Sequence, residues 1–180
     1  GGCAMLKVLS RSLLLGATAL VVLPPRAAWA QKPEPSMVSA VIAAFAEPGR
    51  RIYLAPGLEL SQRDREFGLV GRARHTRATL EEVQQRFGAT IAYPEEAIQC
   101  RDKSRPETCR IPGDGIVFHF MNPQQPIQNG ILPVRVTLYH NGRGEAGQIL
   151  RETWDLLVRR GSDGWTVVQK RLAARANGPA

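Results

Sequence analysis

Apolar positions along this chain change their period partway. Behind a polar, proline-containing stretch at 31–35, Ser36 precedes Val38, Val41, Ile42 and Phe45, which recur at helical spacing until Pro48-Gly49 ends the pattern; this predicts a first helix. Arg51 to Leu54 reads as a short strand stopped by Pro56-Gly57, and from Leu58 to His75 no period is legible. Thr79 to Gly88 predicts a second helix. Thr79 and Glu82 have the spacing of a capping box, Leu80, Val83 and Phe87 share one face, and Gly88 suits the left-handed C-terminal position. Ala89 to Tyr93 then extends, and Pro94 to Gln99 has room for one helical turn.

From Gly113 onward the period becomes two. Ile116 to Met121, Pro133 to His140, Gln148 to Arg160 and Trp165 to Leu172 predict four strands separated by turn-rich segments. Sequential strands joined this way make an antiparallel meander. Val134, Val136 and Leu138 share a face opposite Arg135, Thr137 and Tyr139; Leu150, Trp154, Leu156 and Val158 share a face opposite Arg151, Thr153 and Asp155. The expected fold class is therefore α+β, with N-terminal helices packed on a curved four-strand antiparallel meander. Trp154 is expected to face the Thr79 to Gly88 helix. A single domain is expected at 36–174, followed by a flexible tail at 175–180.

The amino end carries a different pattern. Lys7 and Arg11 precede an apolar run from Ser12 to Leu23, Pro24-Pro25 breaks it, and Ala28-Trp29-Ala30 offers a small-x-small site, which are the three parts of a secretory signal peptide. The run has 12 residues, short of the roughly 20 that a spanning helix needs. Met5 reads as the natural start, so residues 1–4 are expected to be upstream translation or a gene-calling artefact, and Cys3 precedes the apolar run, where a lipid-anchor cysteine would follow it. The expectation is a signal peptide at 1–30, a linker at 31–35, a periplasmic or secreted bacterial location, and no stable membrane anchor after processing.

Processing changes the charge and cysteine balance. The chain has 24 Lys and Arg against 16 Asp and Glu; beyond Ala30 the excess is +5, and 18 of the 21 remaining basic residues are arginine. That excess is spread along the chain and no nucleic-acid motif accompanies it, so no nucleic-acid partner is expected. One cluster, Arg72, Arg74 and Arg77 around His75, could hold an anion or polymer, or simply be a solvated loop before a helix. Cys100 and Cys109 are the two cysteines left, and an even pair in an exported chain predicts a disulfide. The eight residues between them include no apolar side chain, and closing so short a loop is worth ~2.5 to 3 kcal/mol in the chain-entropy model.

A helical half followed by a four-strand meander, ending in the run from Trp154 to Val168 with its Gly161-Ser162-Asp163-Gly164 turn and Gly-Trp-x-Val-Val strand, resembles the ketosteroid-isomerase-like superfamily, whose cone fold is shared with nuclear transport factors. The similarity covers mainly residues 115–172, in the manner of uncharacterised exported bacterial members. That superfamily includes isomerases, dehydratases, cyclases and domains that only bind or dimerise. The resemblance implies a pocket on the sheet and is compatible with a homodimer. It carries no catalytic residue onto this chain, because the family's Asp and Tyr groups find no matching positions.

The sequence contains no nucleophile elbow, no zinc-protease motif and no phosphate-binding glycine loop. His75, His119 and His140 lack metal-ligand spacing, so neither a metal nor another cofactor is expected. His119 stands out. Its strand carries Ile116, Phe118 and Phe120 on one face and Val117, His119 and Met121 on the other, which predicts burial on both sides and puts a titratable ring where a pocket could use it. It could equally be a core histidine bonded to backbone. Asp155 is the second acid-base candidate, and Arg151 and Thr153 are candidate binding residues beside it. The leading expectation is an exported binding or interaction domain for an unknown small molecule or protein. The alternatives are a small-molecule isomerase, dehydratase or hydrolase-like enzyme with a cone-fold pocket, and an anion or polymer binder through Arg72, Arg74 and Arg77.

The leader yields a direct test. Mass spectrometry of the exported protein should find a chain that starts at Gln31, because Ala28 and Ala30 fit the small pockets of the peptidase. A mature protein that keeps Leu13 to Leu23 would overturn this.

Overall fold

The computed structural model describes residues 36–59, 74–121, 128–142 and 148–178. The expected signal peptide and linker, Arg72 and most of the segment without a legible period lie outside the described residues. By internal contacts the chain divides into Gly1–Lys32 and Pro33–Ala180, and every described residue belongs to the second unit.

Helix α1 spans Met37–Ala43, where the Ser36 hydroxyl accepts from the Ser39 amide at 3.1 Å and Val38, Val41 and Ile42 turn inward. Strand β1, Ile52–Leu54, follows, with all three residues buried. Helix α2 spans Arg77–Phe87 and begins a turn earlier than the sequence predicts. Thr76, not Thr79, is its cap: the Thr76 hydroxyl oxygen accepts from the Thr79 amide at 3.2 Å. Glu82, freed from the expected capping box, accepts from the Ser36 amide at 3.0 and 3.1 Å and so ties the start of α1 to α2. Gly88 closes α2 at φ 62°, a left-handed conformation that costs glycine little.

Strand β2 is Thr90–Ile91, and α3 is the single turn Pro94–Ala97, where the Tyr93 amide donates to Glu96 Oε2 at 2.8 Å. Strands β3, Gln99–Cys100, and β4, Cys109–Arg110, form a separate two-stranded ladder in which Cys100 and Cys109 stand directly opposite each other and are disulfide-bonded. The long strands then follow: β5 at Ile116–Phe120, β6 at Ile131–Asn141, β7 at Ile149–Gly161 and β8 at Gly164–Asn177.

The main sheet has six strands in the order β2-β1-β5-β6-β7-β8 and is mixed. This corrects the expected four-strand antiparallel meander. Strands β5 to β8 are antiparallel neighbours in sequence order, but β1 adds to β5 in parallel, with Ile52, Tyr53 and Leu54 opposite Ile116, Val117 and Phe118, and β2 adds to β1 in parallel through the α2 crossover. Burial explains the difference. A strand apolar on both faces belongs inside a sheet, and Ile52-Tyr53-Leu54 satisfies its backbone only by taking a neighbour on each side. The described residues are mostly strand, with three short α-helices. Strand β8 reaches Asn177, so residues 175–177, expected in a tail, belong to the sheet.

The main core lies on one face. Ile52, Leu54, Ile116, Phe118, Phe120, Val134, Val136, Leu138, Leu156 and Val158 meet α1 and the Val83 face of α2. Helix α1 lies against β8, whereas α2 packs on α1 and β2. Trp154, expected to face the Thr79 to Gly88 helix, is half-buried and edge-on to Phe45 just past α1 at a centroid distance of 5.3 Å. On the opposite face Tyr53, Val117, Tyr139 and Ile149 are covered by Ala97, Ile98, Cys109 and Ile111. The side chain of Asn141 fastens this cover to β6, accepting from the Ile111 amide and donating to the Ile111 carbonyl, both at 2.9 Å.

The packing sets a stability contrast. Leu156, 2% exposed, should lose about 2 to 5 kcal/mol on replacement by Ala, while Val168→Ser on the open side of β8, where Val168 is 45% exposed, should stay within about 0.5 kcal/mol. Urea denaturation of both variants checks it, and equal losses would mean that the two faces are misassigned.

Candidate functional site

Strand parity sends His119, Thr137 and Thr153 to the face opposite α1, where the registers of β5, β6 and β7 place them side by side in one row across the sheet. The two threonine hydroxyls are 3.3 Å apart, and Thr137 Oγ1 donates to Glu59 Oε2 at 3.4 Å. Glu59 comes from the segment that the sequence leaves unread. It reaches the row because the chain beyond β1 keeps running beside β5: the Ala55 amide donates to the Phe118 carbonyl at 2.9 Å and the Glu59 amide to the Phe120 carbonyl at 2.7 Å. Thr137 is buried, His119 and Thr153 are half-buried, and Arg151 stands exposed two residues from Thr153.

Burial holds the His119 ring below the ordinary histidine range, against the opposing pull of Glu59 and Glu95, so the ring is neutral at pH 7. Burial likewise pushes the Tyr139 phenol up, with Glu59 and Glu95 adding to the effect and Arg151 opposing it. His75 is the more strongly shifted histidine: burial, with a contribution from His119, brings it down to about 4. Its ring is edge-on to Phe120 at 5.4 Å, and its Nε2 is buried without a hydrogen-bond partner. Tyr93 Oη is also buried and unpartnered. It closes on Gly57, where an added Cβ would stand 2.8 Å from that oxygen, so the approach depends on glycine. The arrangement offers neutral ring nitrogens, hydroxyls and a carboxylate on one sheet face. That set can exchange hydrogen bonds with a polar ligand, and a neutral imidazole near a carboxylate can also take up a proton.

The candidates from sequence divide accordingly. His119, Thr153 and Arg151 lie on this face, with Arg151 bonded to Tyr139. Asp155 shares the face but is already engaged: Arg135 Nε sits 2.6 Å from Oδ1 and Arg171 Nη2 2.7 Å from Oδ2. The hydrogen bond from Arg135 is the main reason its carboxyl stays below the usual range, and as the centre of two ion pairs it is a poor acid or base. Arg74 is exposed beside α2, and Arg77 is joined to Glu81 at 2.6 Å.

A second polar group escapes the sequence reading. Glu152 lies on the apolar face with Leu138 and Trp154, nearly buried, and accepts from Arg175 Nε at 2.8 Å and from Trp154 Nε1 at 3.2 Å, with Arg175 Nη2 also in contact; His140 Nε2 is 3.7 Å away. Burial alone would raise this carboxyl, but the bonds from Arg175 and Trp154 bring it below the ordinary range.

Among the described residues no group of three or more His, Cys, Asp or Glu could hold a metal ion, and no helix is long and apolar enough to cross a membrane. No family model, curated protein or solved structure matches this chain. The resemblance to the ketosteroid-isomerase-like superfamily is therefore without support from these comparisons.

The half-buried histidines predict acid sensitivity. With a folded pKa of about 4 against an ordinary histidine value of 6.5, His75 binds its proton more weakly folded than unfolded, so stability falls as pH drops from about 6.5 towards 4 and levels off below that. Between pH 7.5 and 5 His75 should account for about 2 kcal/mol of that loss, and the lowered shift of His119 acts in the same direction. The depressed carboxyls Glu82, Glu152 and Asp155 lose their contributions only at more acid pH. Urea midpoints across this range should show the slope in the parent chain and a clearly flatter one in His75→Gln; an unchanged slope would mean that His75 titrates normally.

Proposed function

We propose that this chain is an exported binding domain whose ligand, a small polar molecule, lies against the His119-Thr137-Thr153 row. The export half of the reading rests on the leader pattern and agrees with the Cys100–Cys109 bridge. The binding half rests on one observation: three adjacent strands align a neutral imidazole and two hydroxyls in a single row, with the Glu59 carboxylate bonded into it. Polar side chains converging at the edge of an otherwise apolar face suit recognition by a few placed hydrogen bonds. Arg151, exposed beside the row, supplies a positive charge for a ligand with an acidic group.

A second reading, an acid-base enzyme, draws on the neutral state of His119 and the nearness of Glu59 and Glu95. In that case His119 serves as the base and Glu59, rather than the ion-paired Asp155, is the carboxylate beside it. The anion-binding reading through the Arg72, Arg74 and Arg77 cluster has weaker support, since Arg77 already pairs with Glu81.

Titration of the folded protein with a panel of small polar metabolites, followed by melting temperature and by histidine ring resonances, tests the proposal. A true ligand should raise the melting temperature by several degrees and move the His119 resonances. Thr153→Val and His119→Gln should remove both responses while leaving the far-ultraviolet spectrum intact. Turnover of a panel member that disappears in both His119→Gln and Glu59→Gln would favour the enzyme; a ligand whose effect survives all three substitutions would overturn the proposed site.

A further inference from the structure

The disulfide is built asymmetrically. Cys109 is 1% exposed and packed beside Ile98, Ile111 and Tyr139, whereas Cys100 is half-buried and lines a groove of about 570 Å³ together with Arg101, Glu107, Thr108 and Arg110. Little shields this groove. The β3–β4 ladder is only two residue pairs long, and residues 101–107 are all exposed. Charge there is mainly positive: Arg101, Lys103, Arg105 and Arg110 stand against Asp102 and Glu107, and Arg105 is paired with Asp102. Thiol exchange needs a thiolate to reach a sulfur in line with the bond it breaks, and its rate rises with access and with local positive charge.

We propose that the Cys100–Cys109 bridge is a thiol-exchange site for small anionic thiols, which enter from the groove and attack Cys100. The incoming thiolate forms a bond to Cys100 Sγ, the bond between Cys100 Sγ and Cys109 Sγ breaks, and Cys109 leaves with the electron pair and takes a proton. A second thiolate then attacks the incoming sulfur of the mixed disulfide and releases Cys100 as a thiolate. The bridge gains two electrons, and the two small thiols depart as their own disulfide. The reverse sequence closes the bridge again. Opening it frees the return leg of the hairpin, Cys109 to Ile111, which together with α3 covers Val117 and Tyr139. Exchange at the hairpin thus loosens the cover beside the candidate binding row, although the proposal does not rest on that row being a binding site.

The test uses the full chain carrying Cys3→Ser, so that only the bridge sulfurs react. Reduced glutathione, which is anionic, and cysteamine, which is cationic, are compared at equal thiolate concentration under folding conditions. Glutathione should open the bridge several-fold faster at low salt, the advantage should shrink in high salt, and Arg101→Gln with Arg110→Gln should abolish it. Peptide mapping of the trapped adduct should place glutathione on Cys100. In Cys109→Ser the remaining Cys100 should accept glutathione from its disulfide, while in Cys100→Ser the less accessible Cys109 should accept it more slowly. Opening that keeps pace only with global unfolding, an adduct on Cys109, or equal rates for the two thiols would each overturn the proposal. The mapping on the chain with both bridge cysteines keeps the test valid if either single-cysteine variant fails to fold.

Discussion

Eleven consecutive residue pairs join β6 to β7, from Ile131 opposite Arg159 to Asn141 opposite Ile149. This register decides which face every neighbouring side chain occupies. Val134, Val136 and Leu138 fall with Leu156, Trp154 and Glu152, and the alternate positions bring together Arg135 with Asp155, Thr137 with Thr153 and Tyr139 with Arg151. A slip of one residue would carry the apolar set to the wrong side and separate the two threonines whose hydroxyls meet at 3.3 Å. Core and candidate site are thus two outputs of one pairing.

Each face then needs its own cover, and the chain supplies covers of different kinds. Helix α1 and the Val83 face of α2 close the main core by ordinary apolar burial. Among the described residues, the other face is covered by the one-turn α3 and a hairpin whose connecting residues offer nothing to bury, so a covalent link and the Asn141 clamp do there what side-chain packing does elsewhere. The main core also accepts a charge. Burying Glu152 is costly, and its bonds to Arg175 and Trp154 offset that cost without making the ion pair a large net source of stability. Removing Arg175 alone would leave the carboxylate without its guanidinium partner.

Period two made the long strands and their faces legible, because alternation survives whatever the strands pair with. The same rule could have exposed Glu152: it sits at an apolar parity position between Leu150 and Trp154, and a carboxylate there demands a partner. Its partner, Arg175, was hidden because β8 past Leu172 carries no apolar alternation, being exposed at nearly every position. That β1 and β2 join the main sheet is not legible in the sequence for a different reason. Three residues and two residues are too short for periodicity, and their place depends on a parallel partner far along the chain, which local pattern does not encode. Glu59 was lost with them. His119 was legible as a polar residue on a two-sided apolar strand, yet its neighbours Thr137 and Thr153 became visible as a row only once the register was known.

The pairing of Ile52 with Ile116 also orders events in time. Hairpins among β5, β6, β7 and β8 join segments that are near neighbours along the chain, so they can close quickly, whereas β1 must cross the entropy of a long intervening loop before it gains a single sheet bond. The meander is then the natural nucleus, and the parallel half docks onto it late. Until β1 arrives, the apolar outer edge of β5 stands open beside a finished template, and the speed of that last docking sets how long a newly made chain is prone to capture by another copy of itself.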